Sequence, residues 1–128
     1  MTDILGIGKK GEQIAAEFLK DNDYEIIEMN FKNNLGRRLG EIDIITKDLA
    51  SQELVFVEVK TREYNKYKDT LPEENITYSK LRKLQKIAGV YLRQNGLLDE
   101  NYRFDAVSVW LDHDSGKAWI KHLKSIYL

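Results

Sequence analysis

The sequence contains no cysteine, which excludes a disulfide framework and any metal site built from thiolates. Its two histidines, His113 and His122, stand apart in a turn and a strand, and neither is typical of a metal ligand or a general base. The longest apolar runs have only the length of a strand, so a membrane span is not expected. The N-terminus lacks the basic start and long apolar stretch of a secretion signal. These absences predict a cytoplasmic protein with no membrane partner.

Neither sign of charge dominates, because 20 bases and 21 acids give a net charge of −1. The overall charge is therefore no reason to expect a nucleic-acid partner. Its distribution is uneven, however: residues 1–30 hold seven acids and three bases, whereas residues 80–93 hold five bases and no acid. A surface that binds nucleic acid would have to be local.

The composition is that of a globular chain, with 42% hydrophobic and 32% charged residues in 128 positions. No internal repeat or linker divides the sequence, so a single domain over 1–128 is expected. The only proline, Pro72, lies in a polar stretch over 63–77 that is predicted to be the main loop. The fold class is predicted to be α/β, a sandwich of helices around a mixed sheet. The predicted elements are, in order, a helix over 9–21, strands over 24–29, 41–46 and 54–60, a second helix with Thr77 or Ser79 as its N-cap that runs to about Gln94, and strands over 103–111 and 118–123.

The third predicted strand, "LVFVEVKTR", is almost entirely apolar until Glu58 and Lys60 interrupt it. Strand side chains alternate between faces, so these two project together on one face near the strand's end. On the preceding strand, "GEIDIITKD", Glu41 and Asp43 share a face by the same rule. If the two strands form an antiparallel hairpin, Asp43 approaches Glu58.

Two neighbouring carboxylates repel each other, and a divalent cation removes that cost. Oxygen ligands from carboxylates suit Mg²⁺ or Mn²⁺ better than zinc. Lys60, beside such a metal, could orient or deprotonate a water and contact a phosphate. The pattern is therefore that of metal-assisted phosphodiester hydrolysis. The alternative is an exposed strand end with a cross-strand ion pair, worth roughly 0.2–1 kcal/mol.

Five blocks in order resemble a known family: "GKKGEQIAAEFL", "NFKNNLGRRLGEIDII", "VFVEVKTR", "LPEENITYSKLRKL" and "RFDAVSV". The chain resembles the YraN-like family of small bacterial proteins. These belong to the PD-(D/E)XK, restriction-endonuclease-like superfamily and are relatives of archaeal Holliday junction resolvases. The resemblance covers nearly the whole chain. It implies a restriction-endonuclease-like three-layer sandwich, in which a mixed central sheet is flanked by helices.

The resemblance also implies which residues act. Asp43 matches the first metal-binding aspartate, Glu58 the second acid and Lys60 the lysine of the superfamily. Glu12 matches the additional acid on the first helix, as in resolvase-like members. The implied function is that of an Mg²⁺- or Mn²⁺-dependent nuclease that cuts DNA, endonucleolytic on branched or unusual structures. Because so small a protein has little recognition surface, a homodimer presenting two sites is expected.

Basic residues are the candidates for DNA backbone contact, which would be salt-dependent and not sequence-specific. A solvated helix face is the alternative for those in the second helix, and Glu41 is expected at most to support the metal ligands. The predicted DNA-binding residues are Arg37, Arg38, Arg62, Lys80, Arg82, Lys83 and Lys86.

Three other residues are expected to be structural. Asp105 is predicted to be a partner of Arg103 rather than a third metal ligand. Trp110 and Trp119 are predicted to be core or cross-strand partners. Two other functions stay open from the sequence: a catalytically inactive module of nuclease fold that binds DNA or a protein, and hydrolysis of RNA or another phosphodiester.

Overall fold

A computed structural model of the protein describes residues 4–32, 40–64 and 77–126. Arg37 and Arg38 lie outside these ranges. So do residues 65–76, which are most of the proline-containing loop predicted over 63–77. The elements within them are α1 (Ile4–Asp21), β1 (Tyr24–Lys32), β2 (Glu41–Asp48), β3 (Glu53–Glu63), α2 (Tyr78–Gln94), β4 (Tyr102–Leu111) and β5 (Ala118–Leu123).

The five strands of the described residues form one mixed sheet in the order β1-β2-β3-β4-β5. Strands β1, β2 and β3 form an antiparallel meander, and β4 and β5 are an antiparallel hairpin. Strands β3 and β4 are parallel, which requires a crossover connection, and α2 lies within it. The protein is thus an α/β protein whose mixed sheet and two described helices are compatible with an α/β sandwich, as the order of sequence patterns predicts.

Each helix covers a different face of the sheet, as two separate apolar clusters show. Side chains of β3 alternate between the two faces of the sheet and so contribute to both clusters. Val55 and Val57 pack under α1, whereas Leu54 and Phe56 pack under α2. We call these sides of the sheet the α1 face and the α2 face. The buried cluster of the α1 face consists of Ala15, Ala16, Leu19, Tyr24, Ile44, Val55, Val57, Val107, Val109 and Leu111.

The element boundaries follow local chemistry. The predicted N-cap of α2 is confirmed at Thr77, whose side chain accepts a hydrogen bond from the backbone N–H of Lys80. Beyond its end, Gly96 adopts a φ of 66°, a conformation that glycine enters without steric cost. Helix α1 begins at Ile4, five residues before the predicted start at Lys9, although glycines in this segment argue against a helix. Ile7 packs against the α1-face cluster, and this burial offsets the low propensity.

Strand alternation fails at one place that matters for the site. Ile44 packs on the α1 face and Ile42 on the α2 face, although they are two residues apart. The same reversal occurs on the paired strand β1, where Met29 and Phe31 pack on opposite faces. Between them Asn30 has a φ of 56°, a left-handed conformation that asparagine tolerates better than most residues. Asp43, between the two isoleucines, therefore sits where the strand turns over.

At the other end of the sheet, Arg103 is the centre of a buried polar network. Its guanidinium donates to both carboxylate oxygens of Asp105, to Asp48 Oδ2 at 3.0 Å and to Glu53 Oε1 at 2.8 Å. His122 Nε2 lies 2.8 Å from Asp105 Oδ2. The structural pairing predicted for Asp105 and Arg103 is confirmed, whereas His122, to which the sequence assigns nothing, belongs to the same network.

Neither α1 nor α2 combines the length with the apolar character that crossing a membrane would require.

Candidate functional site

The hairpin of β2 and β3 places Asp43 against the backbone of the strand that carries Glu58 and Lys60. The register pairs Ile44 with Val57. One step further along, Asp43 Oδ2 accepts a hydrogen bond of 2.8 Å from the N–H of Val59. The predicted neighbourhood of Asp43 and the Glu-x-Lys segment is therefore present in the fold.

Helix α1 brings Glu12 to the same place because Gly11 allows a close approach to β3. A β-carbon at Gly11 would overlap the hydroxyl and methyl groups of Thr61. Thr61 points to the α1 face, one residue beyond Lys60, so this close helix–strand contact lies beside the site. The position of Glu12 thus depends on the preceding residue, Gly11, having no side chain.

We expect Gly11→Ala to push α1 away from β3 and to destabilise the protein by roughly 1–3 kcal/mol, because a packed contact cannot absorb the added methyl. Gly8→Ala is the matched control: nothing lies within 4 Å of a β-carbon there. It should stabilise the helix by up to about 1 kcal/mol. Urea denaturation measures both. Equal effects of the two substitutions would contradict a tight contact at Gly11.

Three carboxylates, from two elements, converge: Glu12 of α1, and Glu41 and Asp43 of β2. One oxygen from each lies within 4.8 Å of those of the others, and all three residues are half-buried. The amide of Asn30 donates to Glu12 Oε1 at 2.8 Å and to Glu41 Oε1 at 3.3 Å, so it holds two of them together. We call Glu12, Glu41 and Asp43 the carboxylate cluster.

Within the carboxylate cluster, the charge state of Asp43 is perturbed by its surroundings. Burial, followed by the negative charges of Glu58, Glu12 and Glu41, raises the pKa of Asp43 to about 7, although the Val59 N–H opposes the shift. At neutral pH the site therefore holds a proton or a cation more readily than separate carboxylates would. The physical cause is desolvation combined with like charge.

Glu58 and Lys60 point to the α2 face, where they meet the first turn of α2. Glu58 and Glu41 line a cleft of about 140 Å³ together with Lys80 and Lys83. Burial raises the pKa of Glu58, and the positive charges of Lys80 and Lys60 oppose this shift. A hydrogen bond with Lys80, and then desolvation, lower the pKa of Lys60. Two lysines thus face the acid-lined end of β3.

The carboxylate cluster has the donor set that a hard divalent cation prefers. Its ligands are carboxylate oxygens, which suit Mg²⁺ or Mn²⁺. The negative charges of Glu58, Glu12 and Glu41 add to burial in raising the pKa of Asp43, and a bound cation would offset them. The residues therefore fit a metal by chemistry as well as by proximity.

The structure distributes the sequence-predicted residues over two adjoining groups. Glu12 and Asp43 come together, but Glu58 is not among the clustered carboxylates; Glu41 takes that place. The alternation of side chains between the two faces is reversed in β2 at Asp43, and this directs the Asp43 carboxylate toward α1. Regular alternation would have put it on the same face as Glu58. Glu58 is near enough for its charge to raise the pKa of Asp43.

Two residues of the site are not predicted from the sequence to take the places that they have in the structure. Asn30 begins one of the blocks that resemble the family, but nothing in the sequence marks it as part of the site, because its left-handed φ is visible only in the fold. Glu41 is predicted only to support the ligands. Its membership of the cluster follows from the approach of α1, which periodicity does not report.

The predicted DNA-binding residues of α2 form an exposed surface at its N-terminal half. Arg82, Lys83 and Lys86 are exposed, and Lys80 is half-buried toward the cleft. The guanidinium of Arg82 lies 5.7 Å from the centre of the Tyr78 ring. The apolar side of the helix packs into the core through Leu81, Leu84 and Ile87. Arg62 points to the α2 face at the end of β3.

Comparisons with known proteins place the chain among close relatives. A model of the family described as "Uncharacterised protein family UPF0102" matches residues 11–109. A "UPF0102 protein" of Clostridium beijerinckii is 40% identical over 121 residues, covering 94% of this chain and 92% of the relative. Relatives with the same description, from Acetivibrio thermocellus and Moorella thermoacetica, are 38% and 36% identical. The first of these alignments covers 93% of this chain and 86% of the relative. The second covers 94% of this chain and 93% of the relative.

Proposed function

The chain belongs to the UPF0102, or YraN, family, as its sequence motifs indicate, and we propose that it is a metal-dependent nuclease that hydrolyses DNA phosphodiester bonds. The single observation that carries this proposal is the carboxylate cluster, in which three half-buried acids share one small volume. The proposed mode of cutting is endonucleolytic, on branched or otherwise unusual DNA, in the cytoplasm.

The arrangement of elements supports a restriction-endonuclease-like fold. The acid-bearing strands β2 and β3 lie in the interior of a mixed sheet, and helices cover both of its faces. In the superfamily that the sequence resembles, this placement carries the metal-binding acids and the lysine. Asp43, Glu58 and Lys60 occupy the matching strands.

The side chains of the chain divide the work. Asp43 and Glu12, with Glu41 beside them, would hold the metal, and Glu58 would complete its surroundings from β3. The metal, when bound, supplies a positive charge that activates water and stabilises charge developing on the phosphate. Lys60 would orient the attacking water and contact the scissile phosphate.

The cleft side of the site suits an anionic substrate. Lys80 and Lys83 line it, and a phosphate placed there would offset the repulsion between Lys80 and Lys60. The exposed bases of α2 would continue the contact along a nucleic-acid backbone, with an affinity that falls as salt rises. A homodimer would present two such sites to a branched substrate.

The test is cleavage of labelled linear duplex, single-stranded, flap and four-way-junction DNA with Mg²⁺, Mn²⁺ or EDTA. We expect metal-dependent cutting that Asp43→Asn and Lys60→Ala reduce by about a hundredfold or more, in line with the roughly 10²–10⁴-fold that a positioned acid–base group contributes. Glu17→Gln is the matched control, since Glu17 is an exposed acid of the same helix as Glu12 and pairs with the exposed Lys20.

Each outcome of this test has a definite meaning. Cutting that persists in Lys60→Ala would contradict the role given to Lys60. Intact DNA with every metal, despite folded protein, would leave the alternative of an inactive nuclease-fold module. Cutting of RNA but not DNA in the same assay would reassign the substrate and retain the site.

A further inference from the structure

Two aromatic rings stack on each other at the end of the sheet where Lys60 and Arg62 lie. The rings of Tyr64, just after β3, and Trp119, in β5, are 3.9 Å apart between centres and inclined by 17°. Trp119 is 40% exposed, in contrast to the buried Trp110 opposite it on β4. The cross-strand role predicted for Trp119 therefore leaves much of its indole in solvent.

The pairing of the strands puts basic side chains on the same face as this stack. Ala118 and Ile120 pack on the α1 face, so Trp119 and Lys121, which alternate with them, point to the α2 face. The sheet register aligns Lys60 with Lys121 across β4, and Arg62 with Trp119 in the next row. Neighbouring strands are spaced by roughly 4.8 Å, so Lys121 lies about 10 Å from Lys60 across the sheet.

We propose that this surface, made of Lys60, Arg62, Tyr64, Trp119 and Lys121, binds the unpaired part of a nucleic acid, with a base stacked on Trp119 and its phosphates beside the three basic residues. The inference rests on the proposed function, because Lys60 belongs both to this surface and to the catalytic site. It narrows the substrate to nucleic acid with an accessible single-stranded segment.

The chemistry of the surface favours this occupant. Every nucleobase has a flat π-face, and stacking on an aromatic side chain requires no particular sequence. Duplex bases are already stacked, so an exposed indole recognises bases only where the duplex is open. The basic residues complement phosphate and not an apolar partner. Asp112, an acid of the turn between β4 and β5, is engaged within that turn by Ser115 and the N–H of Asp114.

The experiment is fluorescence anisotropy of a labelled oligothymidylate and of a matched blunt duplex, with full-length protein in EDTA so that no cutting occurs. We expect the wild type to bind the single strand more tightly than the duplex. Trp119→Leu should weaken single-strand binding by roughly five- to a hundredfold, since it keeps an apolar side chain but loses the π-face. Trp119→Phe, which keeps a ring, should retain most of the affinity.

Leu98→Ala is the control, because Leu98 is a similarly exposed apolar residue, 60% accessible, in the segment that follows α2. Thermal melting confirms that each variant is folded. Unchanged oligothymidylate binding by Trp119→Leu, or tighter binding of the blunt duplex, would overturn the inference. So would a wild type that binds no oligonucleotide but forms a dimer that Trp119→Leu dissociates, because the surface would then be a contact between copies.

The two proposals fail separately in these measurements. If single-strand binding depends on Trp119 but no metal supports cutting, the stacking surface stands and the nuclease proposal is wrong. If the protein cuts DNA and the Trp119 variants bind and cut like the wild type, the nuclease proposal stands and the stacking surface is wrong.

Discussion

Asp43→Asn is expected to make the metal-free protein more stable at pH 8 than the wild type. Burial and neighbouring acids raise the pKa of Asp43 from 3.8 to about 7, so the folded state binds a proton that the unfolded chain has already released. Stability from this residue is therefore complete below about pH 4 and is lost as the pH rises toward 7. The difference between the two pKa values corresponds to at most roughly 4 kcal/mol. Asparagine carries no charge and can still accept the hydrogen bond from Val59.

The measurement is the free energy of unfolding in urea between pH 5 and pH 8, with EDTA present. The advantage of Asp43→Asn should grow with pH, whereas Glu17→Gln should follow the wild type within about 0.5 kcal/mol, as surface substitutions usually do. Mn²⁺ should raise the melting temperature of the wild type and leave Asp43→Asn almost unchanged, because the cluster has lost a ligand charge. A difference in unfolding free energy between Asp43→Asn and the wild type that is the same at all pH values would contradict a raised pKa of Asp43.

Arg103→Leu is expected to cost roughly 3–5 kcal/mol of stability without touching the candidate site, because it leaves buried charges without their partner. Although burial opposes ionisation, the hydrogen bonds to Arg103 lower the pKa of Asp48, and those to His122 and Arg103 lower the pKa of Asp105. Asp105 is fully buried, so water could not replace the hydrogen bonds that its carboxylate would lose with Arg103. Arg103→Lys should be intermediate, since lysine offers fewer donors in a different geometry.

Arg93→Leu is the matched control, because Arg93 is exposed at the end of α2 and should change stability by no more than about 0.5 kcal/mol. Adding Asp105→Asn to Arg103→Leu should recover part of the loss, which is a non-additivity expected within one network. Asp48 and Asp105 have lowered pKa values, so they stabilise the fold above about pH 4 and lose this contribution as the pH falls further. The gap between the wild type and Arg103→Leu should therefore narrow in acid. A gap that is independent of pH would argue for lost packing instead.

The elements of this fold were largely readable from the sequence because their patterns are local. The apolar residues of α2 recur at helical spacing, and its predicted N-cap, Thr77, is the observed one. The bounds predicted for β5 are the observed ones. Errors occurred at ends, as in α1, where Ile7 packs into the core and carries the helix through glycines that propensity alone would exclude.

Adjacency across the sheet was less accessible. Asp105 and Arg103 are close in sequence, so their pairing could be inferred, but Asp48, Glu53 and His122 join them only because β2, β3 and β5 end at the same place. For the same reason the stack of Tyr64 on Trp119 has no counterpart in any local pattern: 55 positions separate the two rings.

The sequence by itself determined the chemistry available to this protein: carboxylates and a lysine at the ends of two apolar strands, a basic helix, and no thiolate. Alternation along a strand is a local property, so it also fixed that Glu58 and Lys60 share a face. Only the tertiary structure decided which acids meet. Asn30 and Asp43 lie where two paired strands turn over, and Gly11 lets α1 approach closely, so Glu12 and Glu41 join Asp43 while Glu58 turns toward Lys80. Both features result from packing between elements that are distant in the sequence. The spacing of residues within a single element therefore does not reveal them.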